Sequence, residues 1–231
     1  MTITSLLKGF KFYFVTASIY TKKTLPIFIL LGLLAASGDI LLNNEILFTW
    51  GILILIFTNL FLTPFLTAFS ILLVNDLEKN SLKETLGYYL VSFQISLKVL
   101  LLTILVALII ILGLLFFILP GIYLASRLLY SPFYLIIEGK SIVQSMDSSW
   151  KSTANDTMNY LTVLFLYWTA LIVVTFFVLT IISAFVVNTA SMSLPFLLNS
   201  LANGFLSYFQ LVFVSYPLLF IYKNKDHQFS N

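Results

Sequence analysis

Residues 99–138 read VLLLTILVALIIILGLLFFILPGIYLASRLLYSPFYLIIE, an apolar run broken by one buried-type charge, Arg127, before it closes on Glu138. A single helix over this stretch would measure about 60 Å, twice the ~30 Å hydrocarbon core of a bilayer. Pro120-Gly121 divides it into 99–119 and 121–138, two pieces of near-spanning length. A Pro-Gly pair ends helices and marks turns, so the stretch predicts a tight transmembrane hairpin turning at Pro120 and Gly121.

Working outward, four more apolar stretches of spanning length occur, at 25–42, 46–75, 156–187 and 196–222. The chain is 60% hydrophobic and only 9% charged, with a mean hydropathy of +1.05. Soluble domains carry about 25% charged residues. So few charges cannot cover a soluble surface, and lipid must be the solvent over most of the molecule. Backbone groups in lipid must pair within their own segment, which selects helices. The expected fold is all-α and polytopic: about six transmembrane helices in a single integral membrane domain, 1–231.

The lysines orient it. Lys8, Lys11, Lys22 and Lys23 precede the first span; Lys79, Lys83 and Lys98 follow the second. Lys140 and Lys151 follow the fourth, and Lys223 and Lys225 the sixth. All fall on one side, whereas 43–45, 120–121 and 188–195 carry none, so both termini are expected in the cytoplasm. The net charge of +3 is therefore a topology signal, and no basic cluster suggests nucleic acid. Ala35-Ala36-Ser37 resembles a signal-peptide cleavage site, but the 24 residues before its apolar stretch are aromatic-rich and too long for an ordinary n-region.

The lysine-bearing stretches are amphipathic. Residues 141–153, SIVQSMDSSWKST, open with Ser141 and Gln144 in capping-box spacing, and Ile142, Val143, Met146 and Trp150 form an apolar stripe. Asp147 and Lys151 stand as an i,i+4 pair on the polar side. Residues 81–97 open similarly with Ser81 and Glu84, and Leu82, Leu86, Leu90, Phe93 and Leu97 recur on one face. These two stretches, and 4–24 more weakly, are expected as separate helices lying in the headgroup region on the cytoplasmic side. An interfacial helix followed by a transmembrane hairpin would then occur three times, in 4–75, 81–138 and 141–222. The second helix of each hairpin carries a proline, in Thr63-Pro64-Phe65, Ser131-Pro132-Phe133 and Tyr216-Pro217-Leu218.

The run ILPGIYLASRLLYSPFYLIIEGKSIVQSMDSSWKSTAND (118–156) resembles the signature of the YciC-like bacterial inner-membrane proteins. More broadly it is similar to a superfamily that includes the membrane domain fused to some glycerophosphodiester phosphodiesterases. Pro120-Gly121, Glu138 and Ser148-Ser149-Trp150-Lys151 carry the likeness. The resemblance implies a multi-pass inner-membrane protein. It implies no activity, because the phosphodiesterase chemistry belongs to a separate soluble domain.

Ionisable residues inside spans are functional candidates by default, since insertion costs about 2.5–3.5 kcal/mol. Arg127 and Asp39 qualify, at similar estimated depths of roughly 9–10 Å below the outer face. An intramembrane Asp39–Arg127 ion pair, an arginine snorkelling to water and a transport role all stay open. Asn59, Asn203 and Gln210 are further mid-span polar groups, suited to helix–helix hydrogen bonds or to a solute path. There is no cysteine, and the single histidine, His227, lies in the tail. No catalytic, cofactor or metal-ligand pattern occurs, so neither an enzyme nor a cofactor is expected. The expectation is a non-enzymatic membrane component acting through membrane lipids, another membrane protein or a second copy of itself. A small-solute transporter is the alternative.

Overall fold

Helix follows helix without a strand throughout the residues that the computed structural model describes: 2–42, 45–154, 157–186, 206–212 and 214–229. In chain order the helices are α1 (Thr2–Leu42), α2 (Phe48–Phe57), a π-helical turn (Thr58–Leu62), α3 (Thr63–Glu78) and α4 (Thr85–Phe116). Then come α5 (Ile118–Leu128), α6 (Ser131–Ile137), α7 (Ile142–Ser152), α8 (Thr157–Val186) and α9 (Pro217–Phe229), the last continuing helical residues from 206 onward. Among the described residues five helices are long and apolar enough to cross a bilayer: Thr4–Leu34, Phe48–Glu78, Thr85–Phe116, Thr157–Val178 and Leu206–Asn224. The chain is an all-α, polytopic membrane protein.

Several boundaries differ from the sequence reading. The stretch 121–138 forms two short helices, α5 and α6, parted by a turn at Leu129–Tyr130. Pro132 has no N–H for the carbonyl of Leu128, and its ring crowds that turn, so the helix restarts at Ser131. The hairpin turn lies at Phe117, whose backbone is extended (φ −167°, ψ 158°), and not at Pro120-Gly121. Pro120 and Gly121 occupy the first turn of α5, where a missing N–H costs nothing because that donor would be unpaired anyway. Gly121 serves close approach: a Cβ there would lie 2.9 Å from the backbone nitrogen of Leu114, and one at Gly113 2.9 Å from Gly121 Cα.

The stretches 4–24 and 81–97 are not separate interfacial helices. Each continues without a break into a span, as the first halves of α1 and α4. The Ser81–Glu84 capping box does not form either. Glu84 is the N-cap of α4 without a side-chain cap, while the Ser81 amide donates to the carbonyl of Asp76 at 2.9 Å.

The helices that begin at the three prolines each pack on an amphipathic segment. Phe65 and Phe69 of α3 meet Tyr88 and Tyr89 of α4 at ring separations of 5.2–6.3 Å. The turn leading into α6 is bonded by Ser149 of α7. Tyr216 and Phe220 lie 6.0 and 5.4 Å from Phe12 of α1, which closes the set. Between α1, α3 and the last span, buried Tyr20 reaches Ser70 (2.5 Å), Ser70 reaches Ser215 (2.5 Å), and Thr16 meets the Tyr216 hydroxyl (3.0 Å). With little hydrophobic drive between helices in lipid, such hydroxyl links and ring contacts hold the bundle.

Candidate functional site

The C-terminal ends of α3 and α6 meet the middle of α9, and lysine-bearing segments gather there. Lys223 pairs with Glu78, and the Tyr222 hydroxyl donates to Glu138, which also accepts from Lys140 at 2.7 Å. Nearby on α3, buried Asp76 accepts from the Tyr88 hydroxyl (3.1 Å) and lies 3.7 Å from Lys83. Lys23 reaches Thr85 at 2.9 Å and the Lys83 carbonyl at 3.3 Å. Thus the loops after α3 and α6 and the middle of α9 share one end of the bundle.

Helix α7 is the most amphipathic element beside α5, and its sequence explains its start. The Ser141 side chain accepts from the Gln144 amide, and the Gln144 side chain accepts from the Ser141 amide, completing the expected capping box. Lys151 pairs with Asp147 at 2.6 Å on the exposed side. On the opposite face Ser145, Ser149 and Thr153 are fully buried against α5 and α6. Ser149 acts as a splice. Its hydroxyl donates to the Arg127 carbonyl (2.8 Å) and accepts from the Tyr130 amide (3.2 Å). The Thr153 hydroxyl lies 3.1 Å from the same carbonyl. These are groups that the break between α5 and α6 leaves without regular helical partners.

Arg127 therefore sits directly against α7. Its side chain is only 5% exposed, and its guanidinium lies 4.4 Å from the Trp150 ring centre and 5.8 Å from that of Tyr123. The two rings stand 6.1 Å apart at 88°, forming two walls around the cation. The Arg127 Nε is buried without a hydrogen-bond partner. Among the described residues the acidic side chains in ion pairs, Asp76, Glu78, Glu138 and Asp147, all pair with lysines.

The other face of α5 has a different character. Gly121, Ile122, Ala125 and Leu128, with residues of α4 and α8, line an apolar cleft of about 670 Å³. Helix α5 thus separates a largely apolar cleft from an aromatic-walled arginine.

Of the other residues singled out from sequence, Gln210 is exposed on the last span. Asn59 falls in the π-helical turn and Asp39 in α1, their side chains lying outside the described set, and Asn203 lies outside the described residues altogether. Among the described residues no three His, Cys, Asp or Glu side chains gather as metal ligands do. The sequence reading missed Tyr123, although it stands four residues before Arg127, and the Ser145–Ser149–Thr153 face, although small hydroxyl residues at i, i+4 and i+8 signal close helix packing. The Tyr20–Ser70–Ser215 chain joins three distant segments and left no local signal.

No protein-family model, curated protein or solved structure matches this chain.

Proposed function

We propose that this chain is a non-catalytic component of a bacterial inner membrane, with both termini in the cytoplasm, acting through membrane lipids or a partner protein. The observation that carries this reading is α7: a capped amphipathic helix docked at the lysine-bearing side, with Trp150 half-exposed above Arg127. Trp and Tyr favour the headgroup level and lysines favour the cytoplasmic leaflet, so α7 is suited to that interface. The likeness of 118–156 to YciC-like proteins supports the same assignment, and the matching partners of the three proline-led helices support a threefold repeat.

Extraction of the full-length protein in mild detergent, followed by native mass spectrometry, tests this. Retained phospholipid or a retained protein is the expected result. A retained small solute without lipid or protein, together with gradient-driven flux of that solute in proteoliposomes, overturns the reading in favour of a transporter. The transporter reading draws on the π-helical turn at Thr58–Leu62, which carries Asn59, since such turns often mark functional positions.

A further inference from the structure

We propose that Arg127, Trp150 and Tyr123 form a binding site for the phosphate of an anionic phospholipid. The inference rests on the reading of this chain as a lipid- or partner-dependent membrane component, and it names the ligand and the residues.

Three observations converge. First, Arg127 is only 5% exposed, yet it forms no ion pair among the described residues and its buried Nε has no acceptor. A guanidinium carries five donors in a planar fork, and leaving a buried one such as Nε–H unpaired is costly. An oxyanion with two adjacent acceptors, as a phosphate offers, fits that fork. Secondly, the cation is positioned before any ligand arrives. Trp150 and Tyr123 wall it at 4.4 and 5.8 Å, and Ser149 and Thr153 fix the Arg127 backbone by bonding its carbonyl. A site whose cation is already oriented loses less freedom on binding. Thirdly, the walls open outward: Trp150 and Tyr123 are 38% and 42% exposed, and neighbouring Val143 on α7 is 73% exposed. Half-exposed aromatic rings beside exposed apolar surface suit a headgroup whose acyl chains remain in the bilayer, better than a free soluble anion. The one carboxylate on α7, Asp147, is held by Lys151 at 2.6 Å and does not leave an unbalanced negative charge beside the site.

The test uses full-length protein in nanodiscs containing equal amounts of phosphatidylcholine and phosphatidylglycerol. Native mass spectrometry reads the retained lipid. The wild type is expected to retain phosphatidylglycerol preferentially. Arg127→Gln and Trp150→Leu are expected to lower that preference about tenfold, the loss of one charge-assisted bidentate contact. Arg127→Lys keeps the charge and guards against loss of fold; it is expected to fold, by circular dichroism and thermal melting, and still lose most of the preference. Asp39→Asn is expected to leave the preference unchanged; a rise would mean that the Asp39 carboxylate competes with the lipid phosphate for Arg127, and would overturn the reading of Arg127 as a cation free for a ligand. An unaltered preference in folded Arg127→Lys and Trp150→Leu overturns the site while leaving the general lipid reading standing. Arg127-dependent binding of inorganic phosphate that displaces the lipid overturns the headgroup assignment. Absence of any retained lipid or protein overturns both readings together.

Discussion

Residues 58–65, TNLFLTPF, and 126–133, SRLLYSPF, share their spacing of hydroxyl, leucine and Pro-Phe, yet they fold differently. In the first, the chain passes its proline through a π-helical turn and stays one continuous span, Phe48–Glu78. In the second, α5 stops at Leu128, a turn intervenes, and α6 restarts at Ser131. The difference lies in what stands alongside. Beside the first segment is the ring of Tyr89, 6.3 Å from that of Phe65, with its hydroxyl donating to the Lys23 carbonyl; the helix accommodates the proline within its own ladder. Beside the second is α7, whose Ser149 and Thr153 take over the freed backbone groups, so the break can open into a turn. The position of Asn59 in the first segment is that of Arg127 in the second, where the aromatic rings of Tyr123 and Trp150 wall the side chain. A broken helix and an arginine held for a ligand are thus parts of one arrangement.

The third proline marks the extreme case. A Cβ at Gly9 of α1 would lie 2.7 Å from Pro217 Cα and 2.9 Å from the Tyr216 carbonyl oxygen. Both are backbone atoms, which cannot swing aside. Gly9→Leu is expected to give the largest loss of the set, about 3 kcal/mol, read as a lowered melting temperature and reduced yield of folded protein in detergent. Tolerance of leucine there would mean that α1 does not dock on the third proline segment as it does in this structure.

The next test separates the first two segments. Ser149→Ala removes the acceptor for the buried Tyr130 amide and one donor to the Arg127 carbonyl, and should cost about 1–3 kcal/mol. Thr58→Val changes a buried hydroxyl that, among the described residues, bonds its own helix at the Ile54 carbonyl, and should cost about 0.6 kcal/mol or less. Equal losses in thermal or SDS denaturation would show that α7 does not carry the break. A larger loss for Ser149→Ala accompanied by loss of the phosphatidylglycerol preference would tie the splice to the arginine.

What could be read from the sequence divides along the same line. The helical class followed from hydropathy, and the Ser141–Gln144 box and the Asp147–Lys151 pair followed from spacing within one helix, because each is decided within a turn or two. Helix ends were harder. Periodicity in 81–97 shows which face is apolar but contains no stop before Lys98, so α4 runs on to Phe116. Pro120 was read as a turn because a proline ends a helix from within, but in the first turn it opens one. The partner of Arg127 was half legible: Tyr123 is local, while Trp150 arrives only when α7 folds back over the break.

The smallest effect expected is on the exposed edge of that same helix. Asp147 and Lys151 pair at 2.6 Å, but their side chains are 54% and 74% exposed, and water and salt screen them. Asp147→Asn should therefore change stability by only about 0.3–0.5 kcal/mol, at most half the expected effect of Ser149→Ala two residues away. Its effect on lipid preference has a definite sign. Removing a carboxylate one turn from Trp150 frees Lys151 and makes the approach to Arg127 more positive, so the preference for phosphatidylglycerol should rise slightly, and more at low salt than at high. A fall instead would mean that the pair orders α7 for the anion, making the exposed side of the helix part of the same device as its buried side.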